Sequence, residues 1–422
     1  MLTSFYSALT GLNANALYLS IIGNNLANLN TIGFKANITT FGDLLSQTMT
    51  GGVANGAGNP LQIGLGTQLL STTPLFTQGS LMTTGEATSM AILGNGFFIM
   101  EDINGTISYT RAGNFTLDKD GFLVAPDGSF VQGWTGIDPV TGLVVPNTAL
   151  SDIQINPGDL NPPKVTDLMS HVTNLSADAA IADTYSTSVV VYDSMGTAHT
   201  VTYTFTKTAA LTWSWAVTSA DADAAGGGSV TNGTGTLTFD ANGVLTAPAA
   251  GAEPQITFDW NTTFGAANSL ITWDIWDTAG TTANLTSYGS PSSTSSTSQN
   301  GYGAGTVSSF VVRTDGVIEA IYSNGQTAEL AQVALANFNN PHGLIKLGEN
   351  LYGETITSGA PSVGEAGTGG RGAIAGNALE LSNVDIAQEF TNIITAQRGY
   401  QANSRVITTS DELMQEAINI KR

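Results

Sequence analysis

Three histidines, His171, His199 and His342, are the only imidazoles in a chain of 422 residues that contains no cysteine. Imidazoles bind zinc when they recur at helical spacing or accompany cysteine pairs; these three are scattered. Without cysteine, disulfides, thiolate metal sites and cysteine nucleophiles are excluded. No Gly-x-Ser-x-Gly elbow nominates a serine nucleophile, although the members of a triad need only meet in space. Gly367-Thr368-Gly369-Gly370-Arg371-Gly372 has the glycine spacing of a dinucleotide-binding turn. It follows no strand and opens no βαβ unit, so it reads as a flexible linker. Asp118 and Asp120 precede Gly121, but the acid spacing and closing glutamate of a calcium loop are missing, which leaves a turn. Asp411 and Glu412 are adjacent on an expected helix and point to different faces, so they form no acid pair. These residues predict no catalytic site, no metal and no cofactor.

The strongest pattern lies at the two ends of the chain. Residues 383–422 contain no proline, and Ile386, Phe390, Ile393, Tyr400, Ile407, Met414 and Ile418 fall on a 3,4-spaced grid. Gln397, Ser404 and Asp411 fill the remaining grid positions, which suits the seam to setting register rather than to maximal stability. At ~1.5 Å per residue such a helix is on the order of 55 Å long, and its apolar edge needs another helix. Leu2, Phe5, Leu9, Leu12, Ala16, Leu19 and Leu26 carry the same rhythm through the first 28 residues, and no charged side chain precedes Lys35. Both ends are expected to stay disordered until docked. They pair either with each other, closing an ordinary globular domain, or with the next molecule, as the core of a polymer.

Composition narrows the classes. A formal charge of −21 with only 12 Lys+Arg excludes nucleic acid as a partner, since little is available to displace counterions. Charged residues make up 11%, and the chain is saturated with Gly, Ser, Thr, Asn and Ala, as in extracellular β-rich proteins built for assembly. The first residues lack the basic and apolar regions of a secretory signal. No apolar run approaches a membrane span; Ser20, Asn24, Asn25 and Asn28 interrupt the best candidate.

The first helix is expected to stop near Asn30-Thr31-Ile32-Gly33-Phe34-Lys35. Residues 35–74 read as a connecting loop segment, with Gly51 to Pro60 its least structured part. Residues 75–145 and 306–377 share a texture of short strands and Gly-containing turns, and predict one split β domain. Residues 146–305 alternate with period two, as in Val201, Tyr203 and Phe205, and predict an inserted outer antiparallel β domain whose tryptophans are core. Ser290 to Asn300 reads as a low-complexity linker out of it. The expected fold class is mixed and mainly β: a terminal helical, coiled-coil-like domain of 1–34 and 378–422, plus two antiparallel β-rich domains nested by insertion.

The stretches Ser7 to Lys35, Thr77 to Met100, Tyr109 to Val124, Tyr322 to Thr355 and Gly376 to Arg422, in that order, resemble the bacterial flagellar rod and hook axial protein family. The resemblance covers about half the chain and is carried at its ends by Asn30, Thr31, Gly33, Phe34 and Lys35 and by Gln397, Arg398, Gly399 and Tyr400. It implies a subunit exported unfolded, without a cleaved signal, that polymerises outside the cell. Rod members of the family are expected to lack a large central insertion, so residues 146–305 favour the hook branch. That branch forms a flexible curved tube coupling rod to filament and transmitting torque. The implied partners are further copies of the chain, rod, hook-cap and hook–filament junction proteins, and the export apparatus. By analogy with exported subunits, Phe41 and Leu45 are candidate export contacts. A distal rod protein, or an extracellular β-rich adhesin or surface-layer protein, is the alternative.

Overall fold

The computed structural model describes residues 2–49, 61–146, 148–156, 158–221, 229–260, 265–277 and 281–420. The chain divides into two compact units, one of Met1–Asn156, Ser309–Ala320 and Thr327–Arg422, the other of Pro157–Ser308 and Ile321–Gln326. Where the sequence suggests four parts, the terminal helices, the 35–74 segment and most of the split β domain belong to the first unit, whereas 306–308 and 321–326 of that domain fall in the second and 146–156 of the expected inserted domain fall in the first.

In the first unit, helix α1 spans Leu2–Ala27 and helix α2 spans Ile386–Ile420. Beyond α1, Asn28 Nδ2 donates to the Asn24 carbonyl at 2.9 Å and Thr31 Oγ1 bonds Asn28 Oδ1 at 3.1 Å. Gly33 then turns the chain at φ +70°, where a Cβ would come within 2.6 Å of the Ala112 backbone nitrogen. The start of α2 is capped by Asp385, whose Oδ1 accepts from the N–H groups of Ala387 (2.8 Å) and Gln388 (3.2 Å).

The segment expected as a loop is a β-ribbon. Asn37–Asp43 pairs with Thr67–Pro74, and Ser46–Met49 pairs with Leu61–Gly64, both antiparallel. Gly51 to Pro60, expected to be least ordered, lies outside the described residues. A two-stranded ribbon is marginal by itself, and this one leans on α1. Thr67 N donates to Thr10 Oγ1 at 3.3 Å, and Phe41 meets Tyr18 edge-on at 5.5 Å. Lys346 Nζ also donates to Asn37 Oδ1 at 2.7 Å, so lateral support from several neighbours steadies strands whose own alternation is weak.

The split β domain is one interleaved sheet. Phe130–Trp134 lies between Thr327–Val333 and Phe97–Glu101, and Ile107–Thr110 lies between Phe97–Glu101 and Leu351–Gly353. Strands from the two distant stretches thus hydrogen-bond directly. Successive residues of a strand face opposite sides, so Phe98 and Met100 join one buried cluster while Phe97 and Ile99 join another. Burial on both faces is why Phe97-Phe98-Ile99-Met100 is continuously apolar. The Gly367–Gly372 stretch is not a flexible linker but a pinned turn. Arg371 Nε donates to the Glu365 carbonyl at 2.9 Å, and Gly372 N to the Asn95 carbonyl at 2.6 Å.

The second unit is built on two sheets. One is an antiparallel meander of Thr184–Tyr192, Ala198–Ala209, Thr212–Ser219, Thr234–Phe239 and Leu245–Ala247. The other is mixed rather than antiparallel throughout: Leu168–Asn174 runs parallel to Ser269–Asp274 and to Leu285–Thr286. Parallel partners need a long crossover, and the meander lies within the intervening chain. Tyr203, Phe205, Trp213, Trp215, Trp260 and Trp273 fill the core. The expected linker contains a strand, Ser293–Gln299, paired antiparallel with Leu168–Asn174. Its Ser/Thr composition hid it, because its side chains contribute hydroxyl pairs such as Ser170–Ser298 (2.9 Å) and Thr173–Thr294 (2.8 Å) rather than apolar burial.

Candidate assembly interface

The two terminal helices run antiparallel along a seam of small and polar residues. Gly11 lies against Asn403, Gly399 against Asn15, and Asn25 Nδ2 donates to Glu389 Oε1 at 2.8 Å, so each step along α1 is matched by a step back along α2. A Cβ on Gly11 would come within 2.6 Å of Asn403 Nδ2, and one on Gly399 within 3.0 Å of Asn15 Oδ1. Ala8, Ala14, Ile22 and Asn25 of α1 are buried, as are Glu389, Ala396 and Ser410 of α2. Small side chains let helix axes approach closely. The Glu389 carboxylate is held by the amides of Asn25 and Asn392, the latter at 3.3 Å.

The apolar grid read from the sequence is divided by this seam. Phe5, Leu12, Leu19 and Leu26 on α1, and Ile393, Ile407 and Met414 on α2, are half-buried at its edges. Ala16, Leu9, Ile386, Phe390, Tyr400 and Ile418 are exposed, the last four by 45%, 52%, 38% and 69% respectively. Ile394, Leu413 and Ile420 add to the exposed apolar surface of α2. The side chain of Leu2 lies outside the described residues. Sequence reasoning missed the small-residue seam, although Ala8, Gly11 and Ala14 repeat along α1 as Ala396, Gly399 and Asn403 do along α2.

Below the helices, three charged side chains meet out of water. Lys35 Nζ sits 2.6 Å from Glu380 Oε1 and donates to the Thr77 carbonyl at 2.8 Å. Arg111 Nη1 lies 3.5 Å from Glu380 Oε2, and its Nη2 donates to the Gly94 carbonyl at 2.6 Å. The Gly79 N–H also donates to Glu380 Oε1. Burial pulls both the Lys35 ammonium and the Arg111 guanidinium below their usual pKa values, and the Glu380 carboxylate opposes that pull. The cluster ties the segment after α1, the strand before α2 and the sheet together. Glu380 and Arg111 were not singled out in the sequence; an isolated Lys35 at the end of an uncharged stretch was the available signal.

The remaining motif positions serve different ends. Gly33 N donates to the Glu380 carbonyl at 2.8 Å, and Phe34 is buried with Ala36 and Val384. Asn30, Gln397 and Arg398 are exposed, and Thr31 is partly buried. Phe41 is 41% exposed and Leu45 84%. His171 and His199 lie inside the second unit, and the described residues contain no cluster of three or more His, Cys, Asp or Glu that could hold a metal.

Four family models match the chain in order. A flagella basal body rod protein model covers residues 5–35, and a flagellar hook protein FlgE/F/G D1 domain model covers 91–159. A flagellar basal body protein FlaE D2 domain model covers 165–302, and a flagellar basal body rod FlgEFG protein C-terminal model covers 375–420. The flagellar hook protein FlgE of Borreliella burgdorferi is 35% identical over 451 residues, spanning all of both chains. That of Escherichia coli is 34% identical over 440 residues, spanning 99% of this chain and all of its own. The chain belongs to the flagellar hook protein FlgE family. The two terminal models overlap α1 and α2, and the D2 model falls within the second unit. A correction comes with this result. The flagellar basal-body rod protein FlgG of Bacillus subtilis is 28% identical over 427 residues and spans all of both chains. A central insertion therefore does not separate hook from rod relatives; the degree of identity favours FlgE.

Proposed function

We propose that this chain is the repeating structural subunit of a flagellar hook, polymerising through its terminal helices into a flexible curved tube that couples rod to filament and transmits torque. The observation that carries the reading is the row of exposed apolar side chains along α2. Ile386, Phe390, Ile394 and Ile418 are unsatisfied by α1, whose seam uses small residues instead. Apolar side chains repeated along one exposed element mark a surface that another protein covers, and identical subunits joined by one non-closing contact form a helix. The role is structural rather than catalytic. Weakly apolar ends, the first of them without a charged side chain before Lys35, can travel unfolded through an export channel without a cleaved signal and order on assembly. Exposed Phe41 and Leu45 are offered as contacts with that apparatus; rod, cap and junction proteins are the partners at the tube's ends. The rod reading keeps one observation in its favour, the full-length match to FlgG.

The test is electron microscopy of purified full-length protein under salting-out conditions, beside a form lacking residues 1–34 and 378–422 and a Phe390→Ser, Ile394→Ser, Ile418→Ser variant. Tubes from the full-length wild type alone are expected. Full-length protein that stays monomeric with both helices formed, by circular dichroism, would overturn the reading.

A further inference from the structure

In residues 290–298 of the second unit every side chain but Pro291 carries a hydroxyl, and no charged residue stands between Asp277 and Arg313. Exposed runs of Ser and Thr with Pro have the composition of O-glycosylated segments. Here the fold sorts the hydroxyls into two sets. Ser290 Oγ accepts from Asn174 Nδ2 at 3.0 Å and Ser292 Oγ from the Ser176 N–H at 2.9 Å. Ser295 Oγ donates to the Val172 carbonyl at 3.2 Å. Thr294 and Ser298 make the cross-strand pairs described above, and the Tyr185 hydroxyl adds a bond to Thr294 at 3.0 Å. Ser293, Ser296 and Thr297 form the other set. All three are exposed, and their hydroxyls have no hydrogen-bond partner among the described residues.

The same strand is an edge. Ser293–Gln299 pairs with Leu168–Asn174 on one side and, among the described residues, with no strand on the other. A free edge is a template for another chain's strand, and edges are blunted by charges, proline or bulges. One bulge, at Ser295, interrupts this edge; the strand contains neither charge nor proline. A bulky hydrophilic group on Ser296 or Thr297 would fill the space that an added strand needs. We propose that Ser293, Ser296 and Thr297 are acceptors for O-linked sugars, and that these sugars guard the edge. In the transfer the acceptor oxygen attacks the anomeric carbon of a nucleoside-diphosphate sugar, and the bond from that carbon to the diphosphate breaks. The hydroxyl proton passes to a base of the transferase as the nucleoside diphosphate leaves, so the chain gains the sugar less one water. The inference goes beyond the hook reading and does not rest on it.

The test is mass spectrometry of the full-length protein purified from the cells that make it. Cleavage after Tyr288 and Tyr302 releases residues 289–302 as one fragment. That fragment should weigh more than its sequence by one or more sugars, each less one water, and fragmentation should place them on Ser293, Ser296 or Thr297. A fragment at its sequence mass would overturn the assignment, whether the edge is bare or covered by a strand of another chain. Sugar confined to Thr294, Ser295 or Ser298 would overturn it too. In a second arm, a Ser293→Ala, Ser296→Ala, Thr297→Ala variant from the same cells should lose the added mass and keep the wild-type unfolding midpoint by tryptophan fluorescence. Its aggregation, followed by light scattering at matched concentration, should rise several-fold. A variant that loses the sugar and stays as dispersed as wild type would overturn the guarding role. None of these readouts needs a tube to form, so failure of the hook reading and failure of this one are separately visible.

Discussion

Glu380 is the side chain on which the first unit most depends, because it is fully buried and is the only carboxylate that meets Lys35 and Arg111 among the described ion pairs. Removing one partner of a buried ion pair leaves a charge with no water and no counter-ion, at a cost of about 3–5 kcal/mol. Glu380→Ala should therefore lower the stability of the first unit by that order in denaturant unfolding, with the second unit unaffected. Glu380→Gln, which keeps hydrogen-bonding atoms, should cost less. Lys35 could be read from the sequence as a lone charge following an uncharged helix. Its carboxylate partner, 345 positions away, could not, because only the fold brings them together.

At the scale of elements, the two helices show how far periodicity carries. The 3,4 spacing that predicts α1 and α2 is satisfied, yet their mutual seam runs through Gly11, Asn15, Gly399 and Asn403 rather than through the larger apolar residues. Gly11→Val and Gly399→Val should each separate the helices and lower helical signal by circular dichroism. Gly→Ala alone would gain about 1 kcal/mol of helix propensity, so a gain in stability at either position would count against a close seam. Phe390→Ser and Ile394→Ser should behave oppositely, leaving monomer stability within about 0.5 kcal/mol while abolishing assembly. The ribbon of 37–74 and the strand Ser293–Gln299 teach a related lesson. Thr- and Ser-rich segments carry little apolar signal, and their strands exist because neighbours supply backbone partners.

At the scale of the whole molecule, two compact units in one chain predict two unfolding transitions. Five of the six tryptophans, Trp213, Trp215, Trp260, Trp273 and Trp276, belong to the second unit, so tryptophan fluorescence reports mainly that one. Its acid sensitivity follows from His171, stacked on Trp273 at 4.9 Å, with Nε2 buried and unpaired among the described residues. Burial pushes its pKa down from 6.5 to about 4. Between those values the unfolded chain holds a proton that the folded unit refuses. Stability is thus full above pH 6.5 and falls as pH drops toward 4, by on the order of 3 kcal/mol. Fluorescence-detected unfolding of wild type and His171→Phe across this window should show the loss in wild type and a much flatter profile in the variant. Equal slopes would assign the acid sensitivity elsewhere.

The helical ends, the mainly β interior and the family were legible in the order of amino acids alone, because helical and strand periodicities and turn residues are local properties that survive without knowledge of partners. The Gly33 turn and the Phe97–Met100 strand belong to this class. Folding in three dimensions settled the rest: which side of each helix faces inward, how the two distant β stretches interleave, and which charge answers Lys35. Those outcomes depend on contacts between residues hundreds of positions apart, where burial and close packing choose among faces that periodicity leaves equivalent. The Gly11–Asn403 approach is the clearest case. A glycine that looks like a weakness in an isolated helix is what lets the second helix come near, and it turns the larger apolar residues outward.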